Sequence, residues 1–280
     1  MRVTFHTLNR TAWLRIICFY KEADAGKIEL YFNKELDPED LESMHIVSLA
    51  CLIEHWNRKQ KNIILNRQSK VGETLWGKYR LREYWGGKKN YAQASDRNIL
   101  NLWRVVESEK DLHAIRVSDY LKQNFFQHKD LSPISNNLAE LYYNAFDHAK
   151  ADGNIFSMVL FDETTNKVNV AVCDFGIGVA QSVKKVLPEL DDEQALIKAI
   201  ESEFTTRSKS YNAGLGLDNI RASCTDGDSL FIISNEAFLV AKSDNVKTAR
   251  LNFCFSGTLV FYVMSISHFG DEETVGEFSF

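Results

Sequence analysis

The chain has 280 residues, 45% of them hydrophobic and 25% charged, and a net charge of −5. These values argue against a disordered polypeptide and allow one large or two modest domains, each able to bury a core. The five cysteines (18, 51, 173, 224 and 254) include no CxxC pair, which argues against a disulfide framework or a zinc site and for a reducing, cytoplasmic setting; no stretch nears the roughly 18 apolar residues a membrane helix needs, and no apolar signal segment opens the chain.

The first unit, residues 1–111, reads as α/β. The alternating KIELYF predicts a strand. The stretch from Asp37 to Trp56 predicts a helix, with Asp37 as N-cap and Pro38 at the first helical position. NIILN predicts a short strand, GETLWGKYRLREYW a second helix, and YWGGKKNYAQASDRN a loop. LWRVV predicts a further strand. Residues 58–104 hold 12 basic residues against Glu73, Glu83 and Asp96, a block of about +9, whereas residues 121–280 hold 13 basic and 22 acidic residues. This asymmetry predicts two units with different surfaces.

The second unit, residues 112–280, opens with a predicted helix at AIRVSDYLKQNFF. Ser132-Pro133 starts another that runs to about Lys150, with Gly153 just past its end. IFSMVLF and KVNVAVCDF, joined by DETTN, predict a hairpin. A helix at DDEQALIKAIES follows, then a polar stretch, FTTRSKSYNAGLG, leading into a helix at LDNIRASC. Strands at SLFIISN, ARLNFCF and TLVFYVM close the core, and a loose tail follows Gly270.

The helix after Pro133 carries an unusual set of polar groups. At about 100° per residue, Leu138, Leu141, Tyr142, Ala145 and Ala149 share a core side. Glu140, Asn144, Asp147 and His148 fall on the opposite side, where a solvated face is the bland reading. Two other motifs weigh against it. In VAVCDFGIGV a strand ends at Asp174, and Gly176 and Gly178 follow at alternate positions, suiting close backbone approach to a ligand. An aspartate in a pocket accepts a hydrogen bond from an exocyclic amine such as that of adenine. In AGLGLDNI, glycines lead into a helix start, whose free N–H groups suit phosphate.

In this order, ELYYNAFDHA, DFGIGV and GLGL resemble the N-box and the two glycine boxes of the Bergerat-fold ATPases, the group that includes gyrase-type topoisomerases, histidine kinases and mismatch-repair ATPases. The resemblance covers about residues 112–264 and is nearest the anti-sigma-factor and histidine-kinase branches. It implies an α/β sandwich, a mixed sheet with helices on one face, that binds ATP and Mg²⁺. Glu140 matches the acid that handles the attacking water, and Asn144, one turn on, matches the Mg²⁺ ligand. Asp174 matches the acid that reads the adenine amine, with Gly176 and Gly178 beside it. Gly214, Leu215, Gly216 and Leu217 match the lid that wraps the phosphates. Thr206 and Arg207 sit at its entrance, where Arg207 is as well read as a solvated side chain. The lid stretch 204–214 lacks apolar periodicity and is expected to order only around a nucleotide.

Other nucleotide motifs are missing. DFG lacks the rest of the protein-kinase set. No GxxxxGK[ST] or GxGxxG is present, and no histidine is followed by an acid as in a phospho-accepting hairpin. The first unit loosely resembles the small α/β domains of anti-sigma-antagonist proteins and is expected to be regulatory or partner-binding. The expected function is Mg²⁺-dependent ATP binding, coupled to phosphotransfer onto a partner protein or to slow hydrolysis. The alternative is a non-enzymatic ATP-gated module acting on a protein or, through the basic block, on nucleic acid.

Overall fold

The computed structural model describes residues 1–81, 99–148, 154–201, 216–242 and 245–271. Among these residues the fold is mixed α/β, with eight α-helices, a three-stranded parallel sheet and a five-stranded antiparallel sheet. The loop expected after Trp85 lies outside them, as does the end of the Pro133 helix beyond His148.

The first unit begins with a strand and a helix that local sequence pattern does not announce. β1 (Arg2–Phe5) leads to α1 (Arg10–Lys21), which Asn9 caps by accepting the Ala12 N–H at 3.1 Å and which buries Trp13, Leu14 and Ile17. β2 (Lys27–Phe32) pairs parallel with β1, Val3 opposite Leu30. Asp37 does cap a helical turn, but only the short 3₁₀ piece Pro38–Asp40. The main helix α2 (Ser43–Arg58) starts afresh after extended Leu41, with the Glu42 N–H donating to Nδ1 of His45 at 2.9 Å. β3 (Asn62–Leu65) adds to β2 in parallel, and α3 (Lys70–Trp76) is shorter than the predicted second helix.

β4 (Ile99–Arg104) is the predicted LWRVV strand, but it pairs antiparallel with β5 (Ile155–Asp162) and so belongs to the second sheet. α4 (Lys110–Asn124) and α5 (Ser132–Tyr143) follow, and α5 runs on into a wider π turn, Asn144–His148. β5 and β6 (Lys167–Asp174) form the predicted hairpin, turned by Asn166 at φ 54°. α6 (Val179–Lys184) starts at the last residue of the DFGIGV glycine box, where the sequence reading placed no helix, and α7 (Asp192–Ala199) and α8 (Gly216–Ala222) lie near their predicted places. β7 (Ser229–Lys242) pairs with β8 (Asn245–Ser265), so ARLNFCF and TLVFYVM are one 21-residue strand rather than two. Gly257 lets it pass: at φ 120° it occupies backbone space that a side chain rarely takes, beside a register shift in β7.

The expected mixed sheet is corrected to an antiparallel one, whereas the helices of the second unit do share one face, the first unit covering the other. Strand order is β4-β5-β6-β8-β7, and every pairing is antiparallel. β5 turns directly into β6 and β7 into β8, so these pairs need none of the crossovers that parallel pairing demands. Both faces are covered. α4, α5, α7 and α8 contribute to one apolar core with Val168, Val170, Val172, Val260 and Tyr262. α1 and α2 contribute to the other with Ala171, Cys173, Leu259 and Phe261, and their opposite sides meet Val3, Phe5, Ile28 and Leu30 of the parallel sheet. α2 is therefore buried along 13 of its 16 residues. Glu54 ties it to the edge strand, its Oε1 accepting from Arg104 at 3.0 Å and Arg58 at 3.1 Å. Among the described residues no helix is long and apolar enough to cross a membrane.

Candidate functional site

A pocket opens on the α5 side of the five-stranded sheet, with an empty volume of about 310 Å³. Leu141, Asn144 and Ala145 line it from the end of α5, Val172 and Asp174 from β6, Val179 from α6, Leu217 from α8, and Thr258 and Val260 from β8. Its walls are mostly apolar with three polar side chains, Asn144, Asp174 and Thr258, the usual makeup of a small-molecule site.

Asp174 is the floor. Pleat alternation puts it on the same side of β6 as Val170 and Val172, and the strand ends there, so its carboxyl faces the space beyond the last packed valine. It is 3% exposed. Oδ1 accepts the Gly176 N–H at 2.7 Å, and Thr258, its cross-strand partner, adds backbone and side-chain hydrogen bonds. Burial outweighs these and pushes the Asp174 pKa up to about 7. The carboxyl is thus poised between its neutral and charged forms near neutral pH.

Asn144 stands in the wall at the point where α5 widens into a π turn, a distortion common at functional sites. Its backbone N–H bonds the carbonyls of Glu140 and Leu141. The core side of this helix is as predicted: Leu138, Leu141, Tyr142 and Ala145 are buried. Glu140 is half-buried one turn before Asn144 and does not line the pocket. The side chains of Asp147 and His148 lie outside the described residues, as does Ala149.

Gly178 serves packing within the protein. At φ 88°, a Cβ there would lie 2.4 Å from Ser234 Oγ and 2.7 Å from the Gly257 carbonyl. The helix start that follows is already bonded: Val179 N–H donates to Thr258 Oγ1 at 3.0 Å, Ala180 N–H to Ser234 Oγ at 3.3 Å, and Gln181 N–H to Asn235 Oδ1 at 3.2 Å. Of the expected lid, Leu217 reaches the pocket wall and Gly216 opens α8. Thr206, Arg207, Gly214 and Leu215 lie outside the described residues.

No family model and no curated protein matches the chain.

The sequence reading misses Thr258, Val179 and Val260. Thr258 sits 84 positions from Asp174 and meets it only through the β6–β8 register, a non-local fact. The one local signal is the glycine before it, since a Cβ at Gly257 would lie 2.0 Å from the Asp174 carbonyl oxygen.

The basic block is partly neutralised where it is described. Arg58 and Arg104 pair with Glu54, Lys59 with Glu22, and Lys61 with Asp24, while the Arg67 guanidinium lies 4.7 Å from the Trp76 ring centroid. Residues 82–98, with Lys88 and Lys89, lie outside the described residues.

Proposed function

We propose that this pocket binds the adenine of ATP, and that residues from about 112 onward form a Bergerat-type nucleotide-binding unit of a signalling protein. The observation that carries the reading is Asp174: a buried carboxyl at the floor of an apolar pocket, with no ion pair among the described residues. Gly176 and Thr258 already donate to it, but a carboxylate has about four acceptor sites, and an exocyclic amine between flat apolar walls would fill one that faces the pocket. Leu141, Ala145, Val172, Val179, Leu217 and Val260 would enclose the base.

Mg²⁺ fits as an ion held chiefly by the nucleotide. Among the described residues no group of three or more His, Cys, Asp or Glu could hold a metal. Mg²⁺ commonly takes one or two protein oxygens and completes its shell with phosphate and water. The Asn144 side-chain oxygen would be one such ligand. The ion would neutralise charge on the transferring phosphoryl group, while Glu140, one turn away, would orient the attacking water or acceptor hydroxyl. The phosphoryl acceptor is a partner protein or water.

The test is incubation of the protein with labelled ATP and Mg²⁺, with free phosphate and phosphoprotein measured separately. Glu140→Gln is expected to retain binding and to lose about 10²–10⁴-fold in turnover. Asn144→Ala is expected to remove the Mg²⁺ dependence of binding. Wild-type turnover in both variants would leave the α5 face as a solvated surface. Binding without turnover in the wild type would favour the ATP-gated module over the enzyme.

A further inference from the structure

Phe175 links the pocket to the first unit. It follows Asp174 directly, but its ring lies with the core on the far side of the sheet. Three side chains among the described residues hold that ring. Lys21, the last residue of α1, places Nζ 4.5 Å from its centroid. His55, in the last turn of α2, stands edge-on at 6.1 Å and 72°. Phe255 of β8 stands edge-on at 5.8 Å and 76°. The β8 backbone also runs close to the Phe175 main chain, since a Cβ at Gly257 would lie 2.9 Å from the Phe175 Cα. A shift of the Asp174–Phe175 peptide therefore requires a shift in the ends of α1 and α2 or in the β8 irregularity at Gly257.

Cys51 reinforces the same connection. Its Sγ donates to the Cys173 carbonyl at 3.3 Å, so α2 also touches the strand residue before Asp174. The contacts come from two helices of one unit and converge on two consecutive peptides of the other.

We infer that Lys21 and His55 are positioning residues for the nucleotide pocket, acting through Phe175, and that the state of the first unit thereby sets nucleotide affinity. This rests on the nucleotide reading of the pocket. The coupling is reciprocal by thermodynamic necessity: a nucleotide that fixes Asp174 also steadies the ends of α1 and α2, and a partner that displaces those ends loosens the nucleotide. Lys21 is half-buried, and burial lowers its pKa, as expected for an ammonium that has exchanged water for a ring face.

The experiment measures ATP–Mg²⁺ affinity calorimetrically on the full chain for the wild type, Lys21→Met, Lys21→Arg, Phe175→Leu, Phe175→Tyr and the Lys21→Met/Phe175→Leu double variant. Hydrogen exchange of residues 10–21 and 43–58 is followed with and without nucleotide. Lys21→Met is expected to weaken binding about 3- to 30-fold, the range of a partly desolvated cation over a ring. Lys21→Arg restores it, because guanidinium also stacks on aromatic faces. Phe175→Tyr keeps the affinity. Phe175→Leu loses it and makes Lys21→Met silent. Nucleotide slows exchange at the ends of both helices in the wild type and not in Phe175→Leu. The inference is overturned if the wild type binds ATP–Mg²⁺ while Lys21→Met and Phe175→Leu bind equally well, or if their effects simply add. A wild type that binds no adenine nucleotide removes the nucleotide reading itself, and this inference with it.

Discussion

On β6, Val170, Val172 and Asp174 turn toward α5, while Ala171 and Cys173 turn toward α2. Neighbouring residues of one strand therefore enter two different environments. The α2 side is filled: Ala171, Cys173, Leu259 and Phe261 meet a helix buried along nearly its whole length. The α5 side is filled as far as Val172 and then opens into the pocket over Asp174. Period-two alternation thus turns one set of residues into a filled core and leads the other to the pocket. Substitutions on the two sides should have different readouts.

The largest contrast is in affinity. Asp174→Asn is expected to weaken ATP binding by about 10³-fold or more, because an amide can turn a donor toward the adenine amine and a mismatched buried polar pair discriminates strongly. Unchanged affinity in a folded Asp174→Asn protein would remove the amine-reading role. Phe261→Ala, on the α2 side, is expected to cost about 3–5 kcal/mol of folding stability. Val172→Ala borders space that is already empty and should cost less. Denaturant titration of the two decides whether the faces differ in packing as described.

The pH dependence sharpens the comparison further. The Asp174 pKa is raised on folding from 3.8 to about 7, so the neutral carboxyl is the form the unliganded fold favours. Its stabilising contribution is fully present below pH 3.8 and is lost as pH rises through about 7. A rise of that size corresponds to an upper bound on the order of 4 kcal/mol. The stability difference between wild type and Asp174→Asn should accordingly move in favour of the variant as pH rises across that window. Nucleotide binding should run the other way, weakening as pH falls below about 7, because the amine needs the carboxylate. A pH-independent stability difference would show that Asp174 titrates normally. The smallest effect expected is at the start of α7, where Asp191 Oδ1 accepts the Gln194 N–H at 2.8 Å and Gln194 Oε1 accepts the Asp191 N–H at 3.0 Å. Asp191→Ala should cost about 1 kcal/mol in thermal or denaturant melts and leave the pocket intact.

What is legible in the sequence is local. The β5–β6 hairpin declares itself through strand-forming runs on either side of a polar turn, and α5 through its apolar face. Asp174 and Asn144 both stand out as polar residues at informative positions, and both line the pocket. What is not legible depends on distant partners. Asp37-Pro38 is a sound helix start, yet burial of Leu41 in extended conformation breaks the run and moves the true start to Ser43. LWRVV reads as a strand but cannot say which sheet it joins, and the pairing with β5 is set more than 50 residues away. Gly178 reads as a ligand-facing glycine, whereas the atoms it must avoid belong to Ser234, Asn235 and Gly257.

The sharing of α2 between two sheets bears on how the protein can be cut. A fragment starting at residue 112 would lack β4, exposing the backbone edge of β5, and would lack α1 and α2, exposing Phe156, Met158, Leu259 and Phe261 together. An unpaired strand edge beside a bare apolar face is an aggregation template. The half that begins at residue 112 is therefore expected to be insoluble when expressed alone, and its purification calls for the intact polypeptide.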